Sequence, residues 1–472
     1  MKRRLFTVLM AVGCAALSVS AQLRPSEFHT EWTQAAWSNP AFMHQRVANV
    51  GFPGLSGLDV FGFHTGPAFL DFGSTDGVIR PSEMLAAMDE SESFLVGASA
   101  PIVSLRYRDN CKFAFRFRGQ WVGMQHLRYD RNLFELAWKG NGHEDLLGQP
   151  VSLSGMGLDA LSYLDWGLSA GMKLQDQLWV GLGVHRYQGI HAIETTSFDV
   201  QWTTDPSDLS WSMEGGASIR SAGLAADTVL GTETFLPELS GGLPARAGGG
   251  WGMDLGFLWE VDTRWKLEGA VNGLGSIRWR EEVYRRDMLA DDVVLEGLDL
   301  VGHWASGEQS PSLDSIGTWV DGWRADIADT LDAAQGVPVR YDDKFATRTT
   351  ETWRLGAHSY LNENTDLHIM VYRQVRLGLA GNGVALGLSR KMLNGAMMTH
   401  VQAQVFKGLP SLGVGVTLNG GPFRVNFSSQ NILGLLQPLA VQQWHGQVGL
   451  IFEWDDTDRR EDKGVFAPFR CW

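Results

Sequence analysis

Residues 159–174, DALSYLDWGLSAGMKL, carry two chemically different faces. Ala160, Leu164, Trp166, Leu168, Ala170, Met172 and Leu174 share one parity, with Ser162 the polar exception. Asp159, Tyr163, Asp165, Gly167, Ser169, Gly171 and Lys173 share the other, with Leu161 the apolar exception. A period of two sends alternate side chains to opposite faces of a strand. Ordinary strands run about five or six residues; this one spans 159–174 with only Leu161 and Ser162 out of pattern. A strand so long, apolar on one side and polar or glycine on the other, predicts a transmembrane β-barrel wall with lipid outside.

The pattern recurs. In WGMDLGFLWEV, Trp251, Met253, Leu255, Phe257, Trp259 and Val261 alternate with Gly252, Asp254, Gly256 and Glu260, Leu258 being the exception. Leu178, Val180, Leu182 and Val184 alternate with Trp179, Gly181, Gly183 and His185; Leu412, Val414, Val416 and Leu418 with Gly413, Gly415 and Thr417. Phe423, Val425 and Phe427 alternate with Arg424, Asn426 and Ser428, and Val448, Leu450, Phe452 and Trp454 with Gln447, Gly449 and Glu453. A soluble sandwich would use shorter strands and put charge on its outer face. Trp251 and Trp259 lie about 27 Å apart along one face at the strand rise, a separation suited to two aromatic girdles.

The chain opens like a secretory signal: Lys2, Arg3 and Arg4, an apolar core from Leu5 to Leu17, and Val19-Ser20-Ala21 before the expected cleavage. Export after cleavage would deliver the protein to the outer membrane of a Gram-negative cell. No other stretch reaches the roughly 18 apolar residues of a membrane helix. The net charge of −14 over 472 residues argues against nucleic acid, which selects basic surfaces. The 56 glycines and 19 tryptophans suit close-packed lumenal positions and membrane interfaces. Beyond Cys14 of the leader, only Cys111 and Cys471 remain, and nothing local pairs them.

The predicted organisation is a signal peptide at 1–21, a lead-in or plug segment at 22–45, a barrel at 46–454 and an acidic tail at 455–472. The fold class is all-β: an antiparallel transmembrane barrel of about fourteen strands, within a range of roughly twelve to sixteen given boundary errors. The closing strand is placed at 443–454. Short helical stretches are expected near Ser82–Asp89 and at Leu133, Phe134, Leu136 and Ala137. The charged segment 281–345 reads as a long loop insertion with a helix over Val320–Asp332. Asp176, Glu363-Asn364 and Gly420-Gly421 mark tight turns.

Asn39-Pro40-Ala41 is similar to the opening of fatty-acid-transporter-like barrels. Residues 136–142 (LAWKGNG), 146–149 (LLGQ), 154–160 (SGMGLDA) and the glycine-spaced stretch from Leu412 to Asn431 resemble a family of uncharacterised outer-membrane barrels of Bacteroidetes. The resemblance spans most of residues 30–454. It implies the fold and the outer-membrane location, and it brings no activity.

No enzyme is read from the chain. Gly167-Leu168-Ser169-Ala170-Gly171 matches the nucleophile-elbow pattern, but that motif needs a sharp strand-to-helix turn, and here it lies within the cleanest strand. Histidines show no paired-ligand spacing, so neither metal nor cofactor is assigned. The alternation instead predicts lumen-lining side chains at Arg116, Arg118, Asp165, Lys173, His185, Asp254, Glu260, Glu268, Arg278, Arg354, His358, Gln402, Gln404, Arg424 and Glu453. Their mixed charge fits a salt-bridged network holding a plug, or a selective aqueous channel. Two functions stay open. One is a channel or transporter for a hydrophobic or small solute; the other is a non-transporting barrel that anchors or assists a secretion or cell-surface assembly. The expected partners are outer-membrane lipid and, by these two readings, a small hydrophobic solute or assembly proteins.

Overall fold

The computed structural model describes residues 35–44, 48–68, 81–108, 112–139, 142–207, 209–224, 246–289, 293–295, 339–340, 343–406, 408–437 and 440–454. The expected leader, Cys111, most of the 281–345 insertion with its expected helix, and the tail with Cys471 lie outside the described residues.

Fourteen antiparallel strands close on themselves. β1 is split into Ala48–Gly51 and Leu58–His64; β2 is Ser91–Arg108, β3 Phe113–Asp130, β4 Gly157–Gln175 and β5 Leu178–Thr204. β6 is Gly248–Glu260, β7 Trp265–Trp279, and β8 the pair Phe345–Arg348 and Glu351–Asn362. β9 is Thr365–Arg376, β10 Leu379–Met392, β11 Met397–Phe406, β12 Leu409–Gly420, β13 Phe423–Ser429 and β14 Gln443–Trp454. Each pairs with its chain neighbour, and β14 pairs with both pieces of β1 to complete the ring, Ala48 opposite Trp454 and Phe63 opposite Gln443. Closure leaves no backbone edge in lipid. Among the described residues no helix is long and apolar enough to cross a membrane.

The predicted outward face is the exposed one. Leu168, Leu182, Trp251, Leu255, Trp259, Leu355, Leu386, Val401, Leu412 and Phe427 are all exposed. Such a band of large apolar side chains around the whole wall is stable only against lipid. β4 runs unbroken through residues 159–174. The apolar exceptions Leu161 and Leu258 are buried on the inner face, within lumenal clusters.

The ends of the barrel differ. Asp176-Gln177, 261–264, Glu363-Asn364, 393–396 and Gly421-Pro422 are short turns at one rim, where the lumenal segment also enters. The opposite rim carries the long connections. There, α1 (Pro81–Ala87) follows β1, and α2 (Arg131–Lys139) follows β3, close to the expected positions. At the end of α2, hydrogen bonds from Lys139 to Glu135 and Asp145 raise the lysine's pKa and hold the Asp145 carboxyl below the usual range. The sequence pattern reads 178–188 and 191–203 as two strands; they form the single 27-residue β5. Its outer part leaves β6 and pairs with the strand Trp211–Ala222, which carries Val283–Leu289 and Val293–Leu295 in turn. A sheet thus continues beyond the barrel rim at the long-loop end. Within 205–245, which the sequence pattern reads as able to add one or two strands, the described residues form one, Trp211–Ala222.

Candidate functional site

The lumen is where buried polar chemistry concentrates. Its short-turn half holds residues 35–44, a helical turn Ala35–Ser38 followed by a 3-10 turn Pro40–His44. Asn39 anchors this segment: its Nδ2 donates to Glu268 Oε2 at 3.1 Å and to the Phe257 carbonyl at 3.2 Å, and its Oδ1 accepts from Ala41 N at 3.0 Å. Glycine makes the fit. A Cβ at Gly256 would stand 2.1 Å from Asn39 Oδ1, and one at Gly181 would stand 2.3 Å from the Pro40 carbonyl carbon. Ala35, Ala36, Ala41 and Phe42 pack against Trp179 and Leu258 of the wall. Arg354 lies over the Phe42 ring at 5.5 Å, and Arg118 over Trp37 at 5.4 Å.

Around the segment runs a charge network. His185 bridges two carboxylates, Nδ1 to Asp165 Oδ1 at 2.7 Å and Nε2 to Asp254 Oδ2 at 2.9 Å. Both ring nitrogens donate only in the imidazolium form. Arg118 and Gln120 also donate to Asp165, at 3.2 and 3.1 Å. Arg116 donates to the Ala36 carbonyl and, at 2.8 Å, to Ser169 Oγ. Ser169 of the nucleophile-elbow pattern therefore sits mid-strand in β4 as an acceptor for arginine. Arg354 and His358 share Glu268 at 3.4 and 3.0 Å, and Arg106 and Arg424 share Glu453 at 3.4 and 3.1 Å.

Above the segment, the other half of the lumen holds an apolar cluster in which Phe61, Phe63, Tyr163, Tyr187, Ile277, Trp279, Met370 and Phe406 are all buried, with buried polar side chains such as His126, Gln404 and Gln443 beside it. A cavity of about 150 Å³ lies at the junction, lined by Trp37 and Ser38 of the segment and by His185, Asp254, Arg376, Phe61, Val122 and Met124 of the wall.

The pairing of the wall is interrupted beside β13. β13 has only seven residues and stops pairing with β12 at Val414–Ser429 and with β14 at Ser428–Gln447. Leu409–Gly413 and Gln443–Gly446 consequently face each other without a strand between them. Residues 430–437, with α3 (Ile432–Leu436), lie at the interval, where Asn431 Nδ2 donates to Gln443 O at 2.9 Å, and Gln443 Nε2 of β14 donates across it to Leu409 O of β12 at 3.4 Å. A groove of about 730 Å³ opens there, reaching from lipid-facing Leu386, Val405, Leu412 and Leu433 to the inward-facing Gln404 and Gln443. α3 turns Leu433 and Leu436 fully outward, at 60% and 73% exposure.

A model described as a family of unknown function, DUF5723, matches residues 40–429. The chain belongs to that family. No curated protein matches this DUF5723 chain in sequence. Among solved structures, the Pseudomonas putida toluene transporter TodX aligns over 92% of this chain and 94% of its own at 11% identity and TM-score 0.40. The Ralstonia pickettii toluene transporter TbuX aligns over 89% and 92% at 13% identity, TM-score 0.43. A Pseudomonas aeruginosa FadL homologue aligns over 92% and 98% at 12% identity, TM-score 0.42.

The DUF5723 lumen brings together most of the side chains the alternation singles out. Arg116, Arg118, Asp165, His185, Asp254, Glu268, Arg354, His358, Gln402, Gln404, Arg424 and Glu453 are all buried. Gln402 accepts from His400 and Gln404 from Tyr372, each at 3.1 Å. Three lie elsewhere. Lys173 is at the short-turn rim, 3.4 Å from Asp176, and Glu260 is half-exposed beside Lys266 at 2.7 Å. Arg278 is exposed on the outer face, which corrects its expected inward orientation. The cause is a bulge: the register with β6 slips between Val271 and Leu274, so Ile277 and Trp279 turn inward in its place. Gly273 carries the bulge at φ 70°, a conformation that favours glycine. The alternation also passed over Asp59, His445, His368 and His400. These lie on inner-face positions of strands whose apolar partners alone drew attention.

Proposed function

We propose that this barrel passes a small, largely apolar solute between its lumen and the outer leaflet of the membrane. The observation that carries the reading is the interruption between β12 and β14, where lipid-facing and inward-facing side chains line one groove. An apolar molecule leaving lipid there passes Gln404 and Gln443 and meets the apolar cluster that contains Phe63, Tyr372 and Phe406, so it is kept from water on the way in. Residues 35–44 close the route below, so release toward the short-turn end requires them to shift. We place the protein in the outer membrane, with the long-loop rim outside, because bacterial barrels keep short turns in the periplasm.

The test uses asymmetric vesicles with a lipopolysaccharide outer leaflet and a monoaromatic hydrocarbon as probe. Leu409→Cys and Gln443→Cys, introduced after Cys111 and Cys471 are changed to Ser, are bridged by a short bismaleimide. Bridging abolishes uptake if the interruption is the route. Unchanged uptake by the bridged protein rules that route out. A second reading, a non-transporting barrel serving a secretion or surface assembly, draws on the filled, ion-paired lumen around residues 35–44. Uptake no faster than in protein-free vesicles favours it.

A further inference from the structure

Three lumenal side chains on neighbouring strands converge at the short-turn end of the barrel. His358 on β8 stands opposite His368 on β9 as its register partner, with ring centroids 5.4 Å apart. Asp366, two positions earlier on the same inner face, brings Oδ2 to 3.4 Å from His368 Nδ1. One donor atom from each of the three lies within 4.8 Å of the other two. Ligand atoms around a tetrahedral zinc, about 2.0–2.2 Å from the metal, stand roughly 3.3 Å apart. One edge of the triangle is thus at coordination spacing, and the remainder needs a movement on the order of 1.5 Å.

Two further features point to a cation. His358 Nε2 donates to Glu268 Oε1 at 3.0 Å, in a pair with side-chain exposures of 3% and 0%. A carboxylate behind a ligating imidazole fixes its tautomer and raises its basicity, the arrangement commonly found around protein metals. That bond leaves the lone pair on Nδ1. Across the strand from His368, Gly387 vacates the space the imidazoles occupy: a Cβ there would stand 2.4 Å from His368 Nε2 and 2.8 Å from His400 Cε1. His400 itself is engaged with Ser389 and Gln402 at 2.9 and 3.1 Å, so it walls the site. Asp366 keeps 17% of its side chain exposed while the two histidines are buried, which gives the triad a path to solvent at the rim.

We propose that His358, Asp366 and His368 bind a divalent transition-metal ion of the zinc type, with water completing the shell. Two imidazoles and a carboxylate are a donor set that zinc accepts. The site is tied to the lumenal segment, because Glu268 holds His358 through Oε1 and Asn39 through Oε2. Metal binding then stiffens the anchor of residues 35–44. This inference is independent of which solute, if any, the barrel passes.

Titration of the refolded, detergent-solubilised protein with Zn2+ by calorimetry tests it, with Co2+ visible absorption reporting tetrahedral geometry. One equivalent binds the intact protein, and His358→Gln, Asp366→Asn and His368→Gln each weaken binding at least tenfold. Glu268→Gln weakens it by about 10–100-fold, as loss of such a supporting carboxylate does. His445→Gln leaves it unchanged, since that imidazole bonds Asp59 at 2.6 Å in another part of the lumen. Heat-modifiable gel mobility confirms that each variant is folded. Absence of stoichiometric binding, or equal binding by folded His368→Gln, overturns the site.

Discussion

Asn39 of the lumenal segment donates to Glu268 of β7 at 3.1 Å, joining positions 229 residues apart, and both are fully buried. This amide is one of several anchors of the interior segment, beside the Arg116 bond to the Ala36 carbonyl and the apolar packing of Phe42, and it is the one that engages a buried carboxylate. Asn39→Ala strips a donor from a buried carboxylate, a loss of about 1–3 kcal/mol. The variant shows longer or more frequent openings than the intact protein in planar-bilayer recordings. Identical conductance traces would mean that the segment is held by its apolar packing instead.

Steric exclusion gives a second handle on the same segment. Gly256→Val places carbon where Asn39 Oδ1 now sits, 2.1 Å from an ideal Cβ, without touching the outer apolar face. The barrel still inserts, and a cysteine at Ala36 becomes reactive to a membrane-impermeant maleimide. Protection of that cysteine in both backgrounds would contradict the fit described.

His185 between Asp165 and Asp254 is a buried ion triad. Removing one carboxylate charge from such a group costs about 3–5 kcal/mol, because the remaining charges lose their compensation. Asp254→Asn accordingly lowers the urea midpoint for unfolding from vesicles well below that of the unaltered protein. A shift within error would mean that water already solvates the triad.

The bulge at Gly273 makes two arginines unequal. Arg278→Ala, on the exposed face, changes stability by less than about 0.5 kcal/mol. Arg354→Ala leaves Glu268 buried beside one fewer cation and costs about 3–5 kcal/mol. Equal effects in denaturant titrations would place both side chains on one face and refute the register.

Depth in the bilayer is tested on β6. Leu255→Arg puts a charge within the apolar band and costs about 2–4 kcal/mol if it lies near the midplane, whereas Trp259→Arg at the interface costs about 0–1. Folding free energies in vesicles separate the two, and the reverse order would move the girdle.

The strands were legible because lipid on one side and packed side chains on the other impose a strict period, as along Trp251–Trp259. Wherever a residue is inserted, parity reverses, and Arg278 was misplaced for that reason. The sequence divides β5 in two because Gly189 and Ile190 interrupt the alternation. There the register with β4 slips as the strand leaves β6 for Trp211–Ala222. Asn39 was visible as part of a motif, but its bond to Glu268 depends on how a free segment folds back into the lumen. His358 and His368 are ten positions apart, a spacing without meaning in a helix. They meet through a hairpin whose register centres on Asn362–Thr365. The interruption beside β13 was hidden, since 421–430 reads as a full strand and only the pairing shows where it stops.

The 27-residue β5 belongs to two structures at once: its first half carries His185 in the lumen, and its second half forms the sheet beyond the rim. An extended chain resists stretching far more than bending. Trp211–Ala222 at the rim and the His185 side chain between Asp165 and Asp254 are therefore linked by one continuous strand with no hinge between them.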